Sequence, residues 1–263
     1  MADLRVEGLH AGYVRGLSIL RGVSISAAGA QVTAVLGANG VGKSTLLKAI
    51  FGFLTPTDGR VWLGDHEITG RSPHDMVRLG LSYSPQQPGV FPEMSVEENI
   101  LVGAWSFRSD GQRVRRRLTE NFERFPALID RRHEKAGLLS GGQRRMVELA
   151  RAMMTDPVFL LVDEPSAGLA PLVADTVYAE LAGLRSQGIG IVLVEQDISR
   201  AMALADFVYV IDLGLNRLSG RPDELGDLER TFWAWEAPTS ADILAESRAP
   251  DSEGLGRRAT ENA

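Results

Sequence analysis

The chain of 263 residues contains no cysteine. That excludes a disulfide-stapled scaffold, a thiolate nucleophile and any cysteine metal site. It also lacks an excess of positive charge. Its 28 Lys and Arg stand against 34 Asp and Glu, a net charge of −6, so there is no global basic footprint for nucleic acid. No apolar run approaches the ~18 residues of a membrane span. The longest, 189–194 and 207–215, are short or contain an acid. No apolar leader is expected either, because Asp3, Arg5 and Glu7 interrupt the place where its apolar stretch would sit. These gaps predict a protein soluble by itself that reaches a membrane only through a partner.

What remains is an ordinary globular composition, 44% hydrophobic and 24% charged, with length for one large or two small domains. Short apolar runs at 31–36, 158–162, 189–194 and 207–211 alternate with helical patterns. Unbroken runs of that length suit parallel strands buried on both faces, so the pattern predicts an α/β fold around a mainly parallel sheet. A helix is expected over 44–54, with Gly52 and Pro56 marking its end. The stretch from about 88 to 154 has few strand signals and reads as an inserted helical lobe. Ser72-Pro73-His74-Asp75 and Ser95-Val96-Glu97-Glu98 both have the form of a helix start, a capping Ser with an acid three residues on. The last residues, 237–263, are poor in large apolar side chains and read as a flexible tail.

Gly37-Ala38-Asn39-Gly40-Val41-Gly42-Lys43-Ser44 satisfies G-x-x-x-x-G-K-[ST] between a predicted strand and a predicted helix. Its glycines let successive backbone N–H groups face phosphate oxygens, and the helix start adds partial positive charge. Lys43 would reach the β- and γ-phosphates, and Ser44 would ligate Mg²⁺. Thr45, next in the helix, completes the nucleotide-binding set. The run 159–163 then ends an apolar strand on Asp163, placed to hold Mg²⁺, followed by Glu164, placed to polarise an attacking water. These features imply a nucleoside triphosphatase. Leu139-Ser140-Gly141-Gly142-Gln143 opens a further helix. It reads either as a plain N-cap or as a second anion cradle, and a second cradle implies a nucleotide shared between two chains.

In order and approximate spacing these motifs resemble those of the ATP-binding cassette (ABC) ATPases, over about residues 3–225. The resemblance implies a cassette over 3–236, a P-loop fold with a small N-terminal antiparallel β subdomain and an inserted helical subdomain, and ATP and Mg²⁺ as cofactors. Two cassettes, identical or related, would pack head to tail. Ser140, Gly141, Gly142 and Gln143 of one would then meet the γ-phosphate held by Lys43 of the other. Tyr13 matches the aromatic that stacks on adenine, with a core aromatic as the plain alternative. Gln86 matches the glutamine that senses Mg²⁺ and γ-phosphate, with Gln87 next in register. The sequence 166–169 matches the loop that crosses to the partner cassette. Gln196 stands where the family usually has His. It can donate a hydrogen bond to the γ-phosphate but cannot carry a proton.

Val-Glu-Gln at 194–196, the run 163–171 and the run 90–99 are similar to the second ATP-binding subunit of branched-chain amino acid importers and its urea and short-amide relatives. That subgroup often carries Glu where Gln86 stands. The resemblance implies ATP hydrolysis coupled to transport, integral membrane permease subunits, indirectly a substrate-binding protein, and a place on the cytoplasmic face of the membrane. Soluble ABC ATPases of translation and repair are the rival class. A single cassette, the absence of a heptad run and the acidic charge weigh against it, and no nucleic-acid partner is expected. The basic positions Arg113, Arg115, Arg116 and Arg117 read as a solvated helix face or a surface for acidic headgroups or a permease loop. Phe232, Trp233 and Trp235 read as packing at the domain edge.

Overall fold

The computed structural model describes residues 3–14, 16–87 and 89–226. The expectations for Phe232, Trp233, Trp235 and the tail lie outside the described residues. The chain begins with two antiparallel strands, β1 (Leu4–Ala11) and β2 (Leu20–Ala27). In β1, Leu4, Val6, Leu9 and Ala11 face inward and the residues between them face out or lie part-way, the alternation of a sheet with one wet face.

Next come β3 (Val32–Leu36), helix α1 (Lys43–Ile50), β4 (Asp58–Leu63), β5 (His66–Glu67), α2 (Pro73–Arg78) and β6 (Leu81–Ser84). The helical stretch contains α3 (Val96–Leu101), α4 (Gly111–Arg124) and α5 (Gly141–Met153), joined by short 3-10 turns. The chain then returns to the sheet through β7 (Phe159–Asp163), α6 (Pro171–Ser186), β8 (Gly190–Glu195), α7 (Ile198–Leu204), β9 (Phe207–Asp212) and β10 (Leu215–Gly220).

Two sheets result. The first is antiparallel, in the order β2-β1-β4-β5, and the second runs β10-β9-β3-β8-β7-β6. In the second, β9, β3, β8, β7 and β6 are parallel, and only β10 is antiparallel. Every residue of β3, β7 and β8 is buried, as strands covered on both faces require. The sheets are tied by side chains. Asn216 of β10 accepts from Ser24 N–H at 2.8 Å and donates to Ser24 C=O at 2.9 Å, and Ser26 N–H donates to Tyr209 Oη at 3.0 Å. The β3 partners, β8 and β9, both come more than 150 residues later in the chain.

Helix α1 stops at Ile50, four residues before the expected end. Gly52 takes a left-handed conformation (φ 84°), and the N–H groups of Phe53 and Leu54 turn back onto Lys48 C=O at 2.8 and 3.2 Å. The apolar residues Phe53 and Leu54 extend the helical pattern in sequence, yet they belong to this closing turn. Both expected serine caps form: Ser72 caps α2, and Ser95 with Glu98 makes a capping box on α3. The basic run is no uniform solvated face. Arg117 is buried, donates to Met153 C=O at 2.8 Å and pairs with Glu120 and Asp156 at 2.6 and 2.9 Å. Arg113 lies over the Phe107 ring, 4.3 Å from its centroid. Arg117 therefore joins α4 to the end of α5, where a charge could be buried only because its donors are satisfied. Among the described residues, no helix is long and apolar enough to cross a membrane.

Candidate active site

Parallel strands end together, so the loops after β3, β6, β7 and β8 open at one sheet edge, where ligands bind in such sheets. The phosphate loop follows β3, Gln86 follows β6, Asp163 ends β7 with Glu164 next, and Gln196 follows β8. Residues up to 159 positions apart are thereby assembled by topology alone.

The phosphate loop is closed on itself. Lys43 is buried, and its ammonium donates to Gly37 C=O at 2.7 Å and Ala38 C=O at 2.9 Å. Burial lowers the Lys43 pKa, while the charges of Glu164, Asp163 and Glu195 work against that fall. Ser44 Oγ donates to Asp163 Oδ1 at 2.8 Å, and Tyr83 Oη donates to Asp163 Oδ2 at 3.1 Å. Burial raises Asp163, opposed by these two hydrogen bonds. Burial, with the Asp163 charge second, pushes the Tyr83 phenol well above its ordinary range, so it serves as a neutral donor. Two oxygens at a helix start and a strand end, from Ser44 and Asp163, form a donor set suited to a hard divalent cation.

Glu164 is buried in an uncommon conformation for a residue with a side chain (φ 43°), a strain of the sort that collects at functional sites. Its N–H is held by Val194 C=O at 2.9 Å. Its carboxylate accepts from Gln86 Nε2 at 2.6 Å and lies 3.7 Å from Lys43 Nζ. Gln86, not Gln87, therefore reaches the acid. Gln87 lines a separate cavity of about 410 Å³ with Gly141, Arg144 and Gly168.

Tyr13 is 56% exposed, which argues against a core role. With Gly40, Gly42, Lys43, Ser44, Thr45 and Glu164 it lines a cavity of about 250 Å³ over the phosphate loop. Its hydroxyl accepts from Lys48 Nζ at 3.1 Å. Asn39 and Gly40 lie at the turn of the loop, and Val41 packs into the core beneath it. Gln196 is exposed at the same sheet edge.

Ser140, Gly141, Gly142 and Gln143 do not line the phosphate-loop cavity of their own chain. Ser140 caps α5 in a capping box with Gln143, so the plain N-cap reading holds within one chain. Gly142 packs against α6: a Cβ there would fall 2.2 Å from Val173 Cγ1.

The sequence reading missed a buried pair. Arg145 donates to Pro85 C=O at 2.5 Å, to Gln86 C=O and to Glu148 Oε2 at 2.6 Å. It thus pins the backbone of the glutamine loop to α5. Burial pushes Glu148 up to about 7, against the pull of Arg145 and Arg151. The available signal was an Arg and a Glu three residues apart on a helix face that is otherwise apolar.

The family model described as ABC transporter matches residues 20–167. The chain is 39% identical over 228 residues, 86% of its length and 95% of the relative's, to a probable branched-chain amino acid transport ATP-binding protein, LivF, of Archaeoglobus fulgidus. It is 32% identical over 230 residues, 85% of its length and 92% of the relative's, to the lipopolysaccharide export system ATP-binding protein LptB of Acidithiobacillus ferridurans. Among solved structures it resembles the ADP conformation of MJ1267, an ATP-binding cassette of an ABC transporter. There the TM-score is 0.78 at 31% identity, covering 93% of this chain and 99% of that one.

Proposed function

The chain belongs to the ATP-binding subunits of the ABC transporter family, and from that premise we propose that it hydrolyses ATP to drive branched-chain amino acid uptake. The observation that carries the cargo is the 39% identity to the LivF relative over 86% of the chain. The chemistry is supported by the meeting of Lys43, Ser44, Asp163, Glu164 and Gln86 at one sheet edge.

The reaction is ATP + H₂O → ADP + phosphate, with water attacking the γ-phosphorus in line. ATP lies on the backbone N–H groups of 37–45, with Tyr13 against the adenine. Lys43 leaves the carbonyls of Gly37 and Ala38 for phosphate oxygens. Glu164 orients the water and takes its proton, and Gln86 holds Glu164 until nucleotide arrives. Gln196 donates to the γ-phosphate without exchanging a proton. Ser44, Asp163 and Gln86 would hold Mg²⁺, which supplies charge to shield the phosphate oxygens.

The site is completed by Ser140, Gly141, Gly142 and Gln143 of a second cassette, identical or related, so turnover follows dimer closure. The cassette spans 3–236, and its helical lobe, about 88–154, passes closure to membrane permease subunits at the cytoplasmic face. A substrate-binding protein supplies cargo on the other side.

A second transport reading rests on the LptB relative, which covers a similar share of the chain at 32% identity. Uptake of labelled leucine, isoleucine and valine, with urea in parallel, in cells carrying Lys43→Ala separates the readings. Selective loss of branched-chain uptake is expected. Loss of urea uptake alone moves the chain to the urea and amide relatives. No loss of either turns the cargo toward export or toward a soluble role.

A further inference from the structure

Glu195 is 2% exposed at the end of β8, and no step above uses it. Its register partner on β3 is Leu36, the last residue before the phosphate loop. The residue before it, Val194, pairs with Asp163 on β7 and holds Glu164 N–H. A carboxylate therefore sits between the phosphate-loop strand and the acid-bearing strand, walled off from solvent.

Its two oxygens are divided between two loops. Oε1 accepts from Ser166 Oγ at 2.7 Å and from Ser166 N–H at 3.2 Å. Oε2 accepts from Gln196 N–H at 2.9 Å and from Asp197 N–H at 3.4 Å. Asp197 does not compete for the same donors. It caps α7 through Arg200 N–H at 3.0 Å and pairs with the Arg200 guanidinium. Each of these four hydrogen bonds is an N–H or O–H donating to the Glu195 carboxylate, which two acceptor oxygens fit and an amide, with one oxygen, does not. Charge-assisted hydrogen bonds of this kind are roughly twice as strong as neutral ones.

We propose that Glu195 is a positioning residue that clamps the loop at Ser166 to the loop at Gln196, so that the two move as one body. The inference rests on the reading that 166–169 meets the partner cassette and that Gln196 meets the γ-phosphate. On that basis Glu195 carries the presence of a γ-phosphate in one site to the contact with the other cassette. None of these four hydrogen bonds goes to the phosphate loop or to Tyr13, which cradle the nucleotide in one chain, so the clamp acts on closure and turnover rather than on affinity. Removing the carboxylate frees the two loops from each other while leaving Lys43, Ser44, Asp163 and Glu164 in place.

The test compares the full-length wild type with Glu195→Gln and Ser166→Ala in the assembled two-cassette transporter. It measures Kd for a fluorescent ATP analogue, kcat, KM and the Hill coefficient for ATP, with thermal melting as the control of folding. In Glu195→Gln, Kd and KM are expected to stay within about twofold, kcat to fall about tenfold or more and the Hill coefficient to fall toward one. Ser166→Ala is expected to lower kcat less. The double variant is expected to be no slower than Glu195→Gln alone, because both act through one contact. Unchanged kcat and cooperativity in a folded Glu195→Gln overturn the proposal, as do independent, multiplying losses in the two variants. If Glu195→Gln does not fold, Ser166→Ala decides: lowered kcat at constant KM supports the clamp, and wild-type turnover overturns it. A wild-type chain that does not hydrolyse ATP refutes the functional reading itself and is thereby distinguished from failure of the clamp.

Discussion

Glu164 has two partners waiting for it, the Gln86 amide at 2.6 Å and the Lys43 ammonium at 3.7 Å. The Glu164 backbone is fixed separately, its N–H donating to Val194 C=O. Replacing the acid with its amide keeps the size of the side chain and that backbone bond, and removes the carboxylate proposed to take the proton. Glu164→Gln is expected to bind ATP with near-native Kd while kcat drops by about 10²–10⁴. Equilibrium binding and single-turnover phosphate release measure the two halves, and unchanged turnover would remove Glu164 from the role of base. Lys43, Ser44, Asp163 and Glu164 were legible in the sequence because each sits at a fixed offset within a local motif. Arg145 and Glu195 were not, because their meaning lies in partners that only folding supplies. Arg145 bonds residues 59 and 60 positions away, and Glu195 bonds Ser166, 29 positions away. The choice between Gln86 and Gln87 likewise needed the loop's course, since both are polar and adjacent.

At the scale of single elements, α5 carries two testable constraints. Gly142 leaves no room for a side chain against Val173, and Val has little χ1 freedom on a helix. Gly142→Ala is expected to lower Tm through a clash costing about 1–3 kcal/mol, which outweighs the helix propensity of Ala, about 1 kcal/mol. Adding Val173→Ala should recover much of the loss in the same melting experiment.

The second constraint is electrostatic. Glu148 titrates near 7 in the fold against an ordinary 4.5, so folding favours its neutral form. The corresponding stability is present below about pH 4.5 and is lost as pH rises toward 7. Urea unfolding at stepped pH is expected to show wild type losing stability across that window relative to Glu148→Gln, which has no proton to lose. Equal slopes would mean that Arg145 neutralises Glu148 throughout. Elements were read well where the signal was a cap or a fully apolar run, as at Ser95 and in β7. The end of α1 was misread, because Phe53 and Leu54 continue an apolar pattern through a turn set by backbone handedness at Gly52.

For the whole molecule, the phosphate-loop cavity and the α5 N-terminus occupy separate places on one chain. A site that needs both is built from two chains. Turnover per cassette is accordingly expected to rise with concentration and level off. Glu164→Gln with ATP should elute as a dimer in size-exclusion chromatography, whereas the same protein without nucleotide should not. A specific turnover independent of concentration, with a single species throughout, would show a cassette complete on its own. The fold class was legible at this scale because alternating strands and helices leave few ways to cover a parallel sheet. The antiparallel sheet's attachment through Asn216 and Tyr209 was not, since no spacing rule links residues 24 and 216.

The strand order has a consequence for synthesis. On the ribosome β3 and its phosphate loop emerge early, yet both neighbours of β3 in the sheet, β8 and β9, are translated more than 150 residues later. A nascent chain that has passed α6 holds a mainly apolar strand, buried along its whole length in the finished fold, with no partner on either edge, the kind of surface that invites aggregation or a chaperone. Nucleotide cannot reward folding before that point, because its cradle hangs from an unpaired strand. The nucleotide-binding site is thus among the first parts of the protein to be made and among the last to be built.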